Sequence, residues 1–171
     1  MLIVFAGLPA AGKTTLSREL AREIGAVHLR IDTIECALIS GLPKDQPIND
    51  LGYRVAYAVA EDNLRAGRTV VADSVNPLAI TREAWHGVAN RVGVAWIDVE
   101  VLCSDANEHR RRVETRVADI PGHKLPTWHE VTGRECHPWT SPRLVIDTAG
   151  KTAAQALSDL QAALAATQRP S

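Results

Sequence analysis

The sequence predicts an α/β fold, a parallel sheet covered by helices on both faces, on three observations. Short apolar runs alternate with helical patterns along nearly the whole chain. Aromatic residues are scarce while Ala, Val, Leu and Ile abound, as expected where helices pack on buried strands. A Gly-rich turn, Gly7-Leu8-Pro9-Ala10-Ala11-Gly12-Lys13-Thr14, joins the first apolar run to the first helical pattern. At 171 residues the chain suits one domain, 1–171, with a single core.

The elements follow in order. Residues 2–6 (Leu-Ile-Val-Phe-Ala) are a fully apolar strand, and Leu16, Leu20 and Ile24 carry a helix over 13–24. Further strands are expected at 27–31, 68–73, 93–102 and 143–147. Helical patterns occupy 33–40, 49–66, 78–90, 105–118 and 127–136, and an Ala-rich helix covers 152–167. Strands spaced by helices give a parallel sheet, and right-handed crossovers put a ligand site at the strands' carboxyl ends. Gly41–Pro47 and Asp119–Pro126 read as loops, the second a lid between two helices.

The turn has the form G-x-x-x-x-G-K-[ST], the P-loop that binds nucleoside triphosphates. Gly7 and Gly12 let the backbone curl, so that N–H groups from Leu8, Pro9's neighbours Ala10 and Ala11, and the helix start form an anion nest. Lys13 reaches the terminal phosphates, Thr14 presents its hydroxyl to Mg²⁺, and Thr15 lies just inside the helix. The helix N-terminus adds a partial positive charge that favours phosphate.

Three carboxylates fall at strand ends. Asp32, after the second strand, can orient an acceptor hydroxyl and take its proton, or act as an N-cap. Asp73, after Val70-Val71-Ala72, suits a Walker-B role holding Mg²⁺. Ser74 follows it where ATPase motors carry Glu, which favours transfer to a bound acceptor over hydrolysis. Asp147 is expected to cap the Thr148-Ala149-Gly150 loop, with Gly150 at the edge of the nucleotide base.

The cluster His109-Arg110-Arg111-Arg112 with Arg116 precedes the lid loop, and Arg112 and Arg116 share a helix face. Arginine there can meet charge developing on a transferred phosphoryl group. Arg134, after the lid, is a further candidate. Residues 105–143 hold seven Lys/Arg and six Asp/Glu, so this is no nucleic-acid patch by net charge. On the acceptor side, Tyr53 and Tyr57 are four apart and line either a pocket or the core, and Asn76 is another candidate. Trp128 and Trp139 are expected in core or lid packing.

Composition narrows the partners. A net charge of −1 gives no field toward nucleic acid or anionic membrane. Cys36, Cys103 and Cys136 lack metal-ligand spacing and read as reduced cytoplasmic thiols. The apolar start lacks a basic flank, and the P-loop begins too soon for a cleaved leader. No apolar stretch reaches the ~18 residues of a membrane span. The oligomer is expected to be a monomer or homodimer.

With Gly7–Thr14, Arg30-Ile31-Asp32-Thr33, Val71–Pro77 and the lid arginines in place, the chain resembles the P-loop small-molecule kinases known broadly as AAA-domain ATP-binding proteins. That group is similar to chloramphenicol phosphotransferase, the kinase domain of phage polynucleotide kinase, gluconate kinase and the zeta toxins. The resemblance spans nearly the whole chain. It implies a three-layer P-loop NTPase fold with five parallel strands in the order 2-3-1-4-5 and a small helical lid at about 112–136. It also implies Mg-ATP as donor, Asp32 as general base, and a catalytic lid arginine from Arg112 or Arg116. One departure is Glu35, where phage polynucleotide kinase carries arginine three residues past its base, and this argues against a nucleic-acid 5′-hydroxyl.

The expected function is transfer of the γ-phosphate of ATP to a hydroxyl of an antibiotic, sugar or nucleoside. A polynucleotide or nucleoside monophosphate kinase would need acceptor-side cations, and residues 33–66 offer only Lys44, Arg54 and Arg65. A nucleotide switch is the third reading. A GTPase would carry Asn-Lys-x-Asp, which is missing, and an AAA+ motor would need a helical domain for which there is no room.

Overall fold

The computed structural model describes residues 1–43 and 46–167, and within them five parallel strands form one sheet in the order β2-β3-β1-β4-β5. The strands are β1 (Leu2–Ala6), β2 (Val27–Arg30), β3 (Val70–Asp73), β4 (Trp96–Leu102) and β5 (Leu144–Asp147). The helices are α1 (Lys13–Ile24), α2 (Ile31–Gly41), α3 (Leu51–Arg65), α4 (Ala79–Val92), α5 (Ala106–Thr115), α6 (Trp128–Thr132) and α7 (Ala153–Thr167). Lys44, one of the acceptor-side cations weighed above, lies outside the described residues.

β1 is central and wholly buried because both faces are covered. Successive side chains point to opposite faces, so Ile3 and Phe5 pack with Leu16 and Leu20 of α1 and Leu160 of α7. Leu2 and Val4 pack instead with Ala56 and Ala60 of α3 and Trp85 and Val88 of α4. Fully burying each large side chain stabilises by roughly 1.5–3 kcal/mol, and these two layers hold the sheet rigid. The Ala-rich α7 uses its stripe Ala156, Leu160 and Leu164 against the sheet, as expected of it.

The register levels the strands' carboxyl ends. Phe5 pairs with Asp73, and Asp73 with Arg30. The turn after β1, the carboxylate ending β3 and the start of α2 therefore meet at one edge. Here β1 sends its chain one way and β3 the other, the crevice where ligands bind in open parallel sheets.

Two helices are shorter than their patterns predict. The helix expected over 127–136 is α6, only Trp128–Thr132, started by a Thr127–Glu130 capping box and stopped at Gly133. Beyond it Arg82 donates to the carbonyls of His137 (3.2 Å) and Pro138 (2.8 Å), and His137 N–H donates to Pro77 O at 2.8 Å. These tertiary bonds outcompete continuation of the helix, so Arg134 sits on an irregular strap. α5 ends at Thr115, and Arg116 is extended with ψ 147°, so Arg112 and Arg116 do not share a helix face. At the other end Ile31 and Asp32 belong to α2, whose N-cap position is Arg30. Asp32 is therefore a first-turn residue of α2 and not its N-cap. Among the described residues, no helix is long and apolar enough to cross a membrane.

Candidate active site

Only glycine fits the first P-loop position, because a Cβ on Gly7 (φ +136°) would lie 2.0 Å from the carbonyl oxygen of Val101. Gly12, at φ +103°, turns the chain into α1, whose first-turn N–H groups have no intrahelical acceptors. Pro9, Ala10, Gly12, Lys13, Thr14 and Thr15 border a cleft of about 950 Å³. Gly7, Leu8 and Ala11 do not. They back onto a smaller cavity of about 280 Å³, and the N–H groups of Gly7 and Ala11 donate to Val75 O (3.0 Å) and Leu8 O (3.2 Å). These three expected phosphate ligands shape the loop, and the donors facing the cleft come from its second half.

Lys13 is 7% exposed and donates from Nζ to Leu8 O at 2.9 Å. Burial pulls its pKa down to about 8; the Asp73 and Asp32 charges hold it up, while Arg116 and Arg134 push it further down. Asp73 is 2% exposed, and its Oδ2 has no hydrogen-bond partner. Burial works against its charge, but His28, Lys13 and Thr14 more than offset this, so its pKa lies below the ordinary carboxylate range. His28 Nε2 is 3.6 Å from Asp73 Oδ2 and 3.0 Å from Ser17 Oγ. An ionised, unpartnered carboxylate oxygen and the Thr14 hydroxyl on one cleft wall are hard donors that fit Mg²⁺.

Asp32 lines the same cleft, with Arg30 Nη2 3.8 Å from its Oδ2. Glu35, Tyr53 and Ser74 line it too. The other two acceptor-side candidates lie elsewhere. Tyr57 Oη donates to Thr81 O at 3.2 Å, and its ring stands edge-on to Trp85 at 4.6 Å, so it belongs to the core. Asn76 is 1% exposed and faces the smaller cavity; its Nδ2 donates to Phe5 O at 3.0 Å, locking the β3–α4 turn onto β1.

The two lid arginines separate by partner. Arg112 is held by Glu108 (2.6 Å), Thr148 Oγ1 (2.8 Å) and Thr148 O (3.0 Å). Thr148 in turn donates to Ala11 O at 2.9 Å, so Arg112 braces the P-loop through the β5–α7 turn. Gly150 spends its N–H on Glu108 Oε2 (2.9 Å) and does not border the cleft, whose edge there is Thr148, Lys151 and Thr152. Asp147 does cap its turn, accepting from Ala149 N–H at 3.0 Å. Arg116, by contrast, makes no ion pair or side-chain hydrogen bond among the described residues, and its buried Nε has no acceptor. Arg134 also borders the cleft.

Several residues take partners here that the sequence pattern does not specify. Arg30 grips Asp119 of the lid loop, joined by Arg18 at 3.5 Å from the same carboxylate. His109, counted above with the basic cluster, is 6% exposed, donates from Nε2 to Pro9 O at 2.8 Å and packs edge-on against Trp128. Trp139 lies under Arg82 and Arg143, a packing role.

A family model described as an AAA domain matches residues 2–131. No curated protein matches the chain. Among solved structures, one from Chloroflexus aurantiacus j-10-fl matches with a TM-score of 0.74 at 20% identity, over 94% of this chain and 96% of its own. Kti12 of Chaetomium thermophilum, in complex with ADP-AlF3, gives a TM-score of 0.67 at 21% identity, over 95% and 98%. The APS kinase of Mycobacterium tuberculosis, in complex with AMPPNP and APS, gives 0.66 at 17%, over 96% of each chain. At these identities the likeness is one of fold.

Proposed function

Because the chain belongs to the AAA-domain family, we propose that it is a phosphotransferase that moves the γ-phosphate of ATP to a hydroxyl of a small molecule. One observation carries this reading: Lys13, Asp32, Asp73 and Arg116 border a single cleft large enough for a nucleotide and a second ligand.

The first-turn amides of α1 and Lys13 grip the phosphates. Thr14 and Asp73 would hold magnesium, which when bound offsets phosphate charge. Asp32 orients the acceptor hydroxyl, whose oxygen attacks the γ-phosphorus as its proton passes to the carboxylate. The bond from that phosphorus to the bridging oxygen breaks, and ADP leaves. Arg116, with free donors, meets charge spread over the transferred group, while Arg112 fixes the nucleotide end. Such positioning and electrostatics supply most of the acceleration in loose phosphoryl-transfer transition states.

The test is calorimetry with ATP and magnesium, followed by ATP consumption over a panel of sugars, nucleosides and antibiotics, with Lys13→Ala and Asp32→Asn as controls. We expect ATP binding in the wild type and in Asp32→Asn, and acceptor-dependent turnover in the wild type alone. Absence of binding at millimolar ATP refutes the reading, as does turnover without any acceptor.

A further inference from the structure

Asp32, Glu35 and Ser74 border the acceptor end of the cleft, and none of the three makes a side-chain hydrogen bond among the described residues. Glu35 lies three residues past Asp32 on α2, so both carboxylates stand on one face of the helix. Glu35 reaches the cleft by crossing α3 at Gly52, a buried position without a side chain. A Cβ there would lie 2.4 Å from Glu35 Cγ and 3.0 Å from Oε1. The glycine is thus the seat that holds this carboxylate in place. Among the described residues Glu35 has no hydrogen bond or ion pair, although burial and the Asp32 charge both raise its pKa and only Arg134 opposes them. Ser74, 4% exposed and on the same wall, has an Oγ without a partner. The buried Ser74 hydroxyl costs free energy in this state, whereas Glu35 opens on the cleft and keeps its accepting capacity for a ligand.

We propose that Glu35 selects the acceptor by receiving a hydrogen bond from a second hydroxyl or amino group near the hydroxyl to be phosphorylated. This rests on the phosphotransfer reading and narrows it to polyols and amino alcohols. Two carboxylates side by side disfavour a phosphate or carboxylate held directly against them, with Arg30, Arg116 and Arg134 on the rest of the cleft lining. Gly52 is a positioning residue, acting only through Glu35.

The experiment measures phosphoester formation by ³¹P NMR and coupled ADP release in three arms. Glycerol, ribose and adenosine form the first, ethanolamine and kanamycin the second, and gluconate, ribose 5-phosphate and AMP the third. Turnover is expected in the first or second arm. Glu35→Met should lower kcat/KM for that acceptor about 10- to 100-fold through KM, leaving KM for ATP and the melting temperature unchanged. Glu35→Gln separates the sources, because its amide oxygen still receives a hydroxyl hydrogen bond but cannot pair with an ammonium. It should restore activity toward a polyol and not toward an amino alcohol. Gly52→Ala should reproduce the acceptor KM defect in a folded protein. Turnover confined to the third arm, or an unchanged acceptor KM in Glu35→Met, overturns the proposal while phosphotransfer stands. ATP binding with no phosphoester in any arm overturns both.

Discussion

Arg30 donates from Nη1 and Nη2 to the two carboxylate oxygens of Asp119 at 2.7 and 2.9 Å, across 89 positions of sequence. This fork ties the end of β2 to the lid loop. It also keeps the guanidinium 3.8 Å from Asp32 instead of closing on it.

Asp119→Ala should therefore free Arg30 to neutralise the proposed base. Because Asp119 is half-exposed, the loss of stability should stay within about 1 kcal/mol. Turnover should fall by about tenfold, a change read from kcat against an almost constant melting temperature. An equal fall in both would point to a purely structural role.

The lowered pKa of Lys13, about 8, sets a pH dependence. Its charged form pairs with phosphate, and that form is lost as pH rises through the pKa. Accordingly kcat/KM for ATP should be flat below about pH 8 and fall by about tenfold per unit above it. Lys13→Arg, which stays charged, should remove that limb, as a pH–rate profile will reveal.

Asp32→Asn keeps the shape of the cleft but removes the proton acceptor. It should cost about 10²- to 10⁴-fold in kcat while nucleotide affinity stays near wild type, separable by single-turnover assay and calorimetry.

Arg116 and Arg112 should fail differently. Arg116→Ala removes donors with no other duty and should lower kcat by about 10²-fold or more with KM for ATP little changed. Arg112→Ala breaks the brace through Thr148 to the P-loop and should raise KM for ATP. A kcat defect confined to Arg112→Ala would reverse the assignment.

Arg82 is 4% exposed and donates to the carbonyls of Asn76, Pro77, His137 and Pro138. Arg82→Ala leaves those oxygens buried without donors and should cost about 3 kcal/mol or more by denaturant unfolding. The strap after α6, including Arg134, should become protease-sensitive first.

Local chemistry explains why so much of the architecture is legible in the chain. β1 is buried as five consecutive apolar residues require, and the turn after it reads as an anion site from its glycines and Lys13. Asp32 and Asp73 are readable because strand ends in parallel sheets converge. Helix ends are less so: propensity carries α5 through residue 118, although it ends at Thr115, and α6 through 136, where Gly133 and the bonds of Arg82 and His137 stop it. Tyr53 and Tyr57 have the same spacing signal, yet one borders the cleft and the other fills the core against Trp85. A helical period cannot tell which neighbour each face will meet.

The order of residues determined the layered fold and the glycine-rich turn, since both are written in patterns that recur within a few positions. Which arginine is free, which carboxylates border the cleft and which asparagine is locked away depended on partners up to 137 residues distant. Those pairings exist only once the sheet has brought its carboxyl ends level, because hydrogen bonds and ion pairs act over a few ångströms of space and are indifferent to separation along the chain.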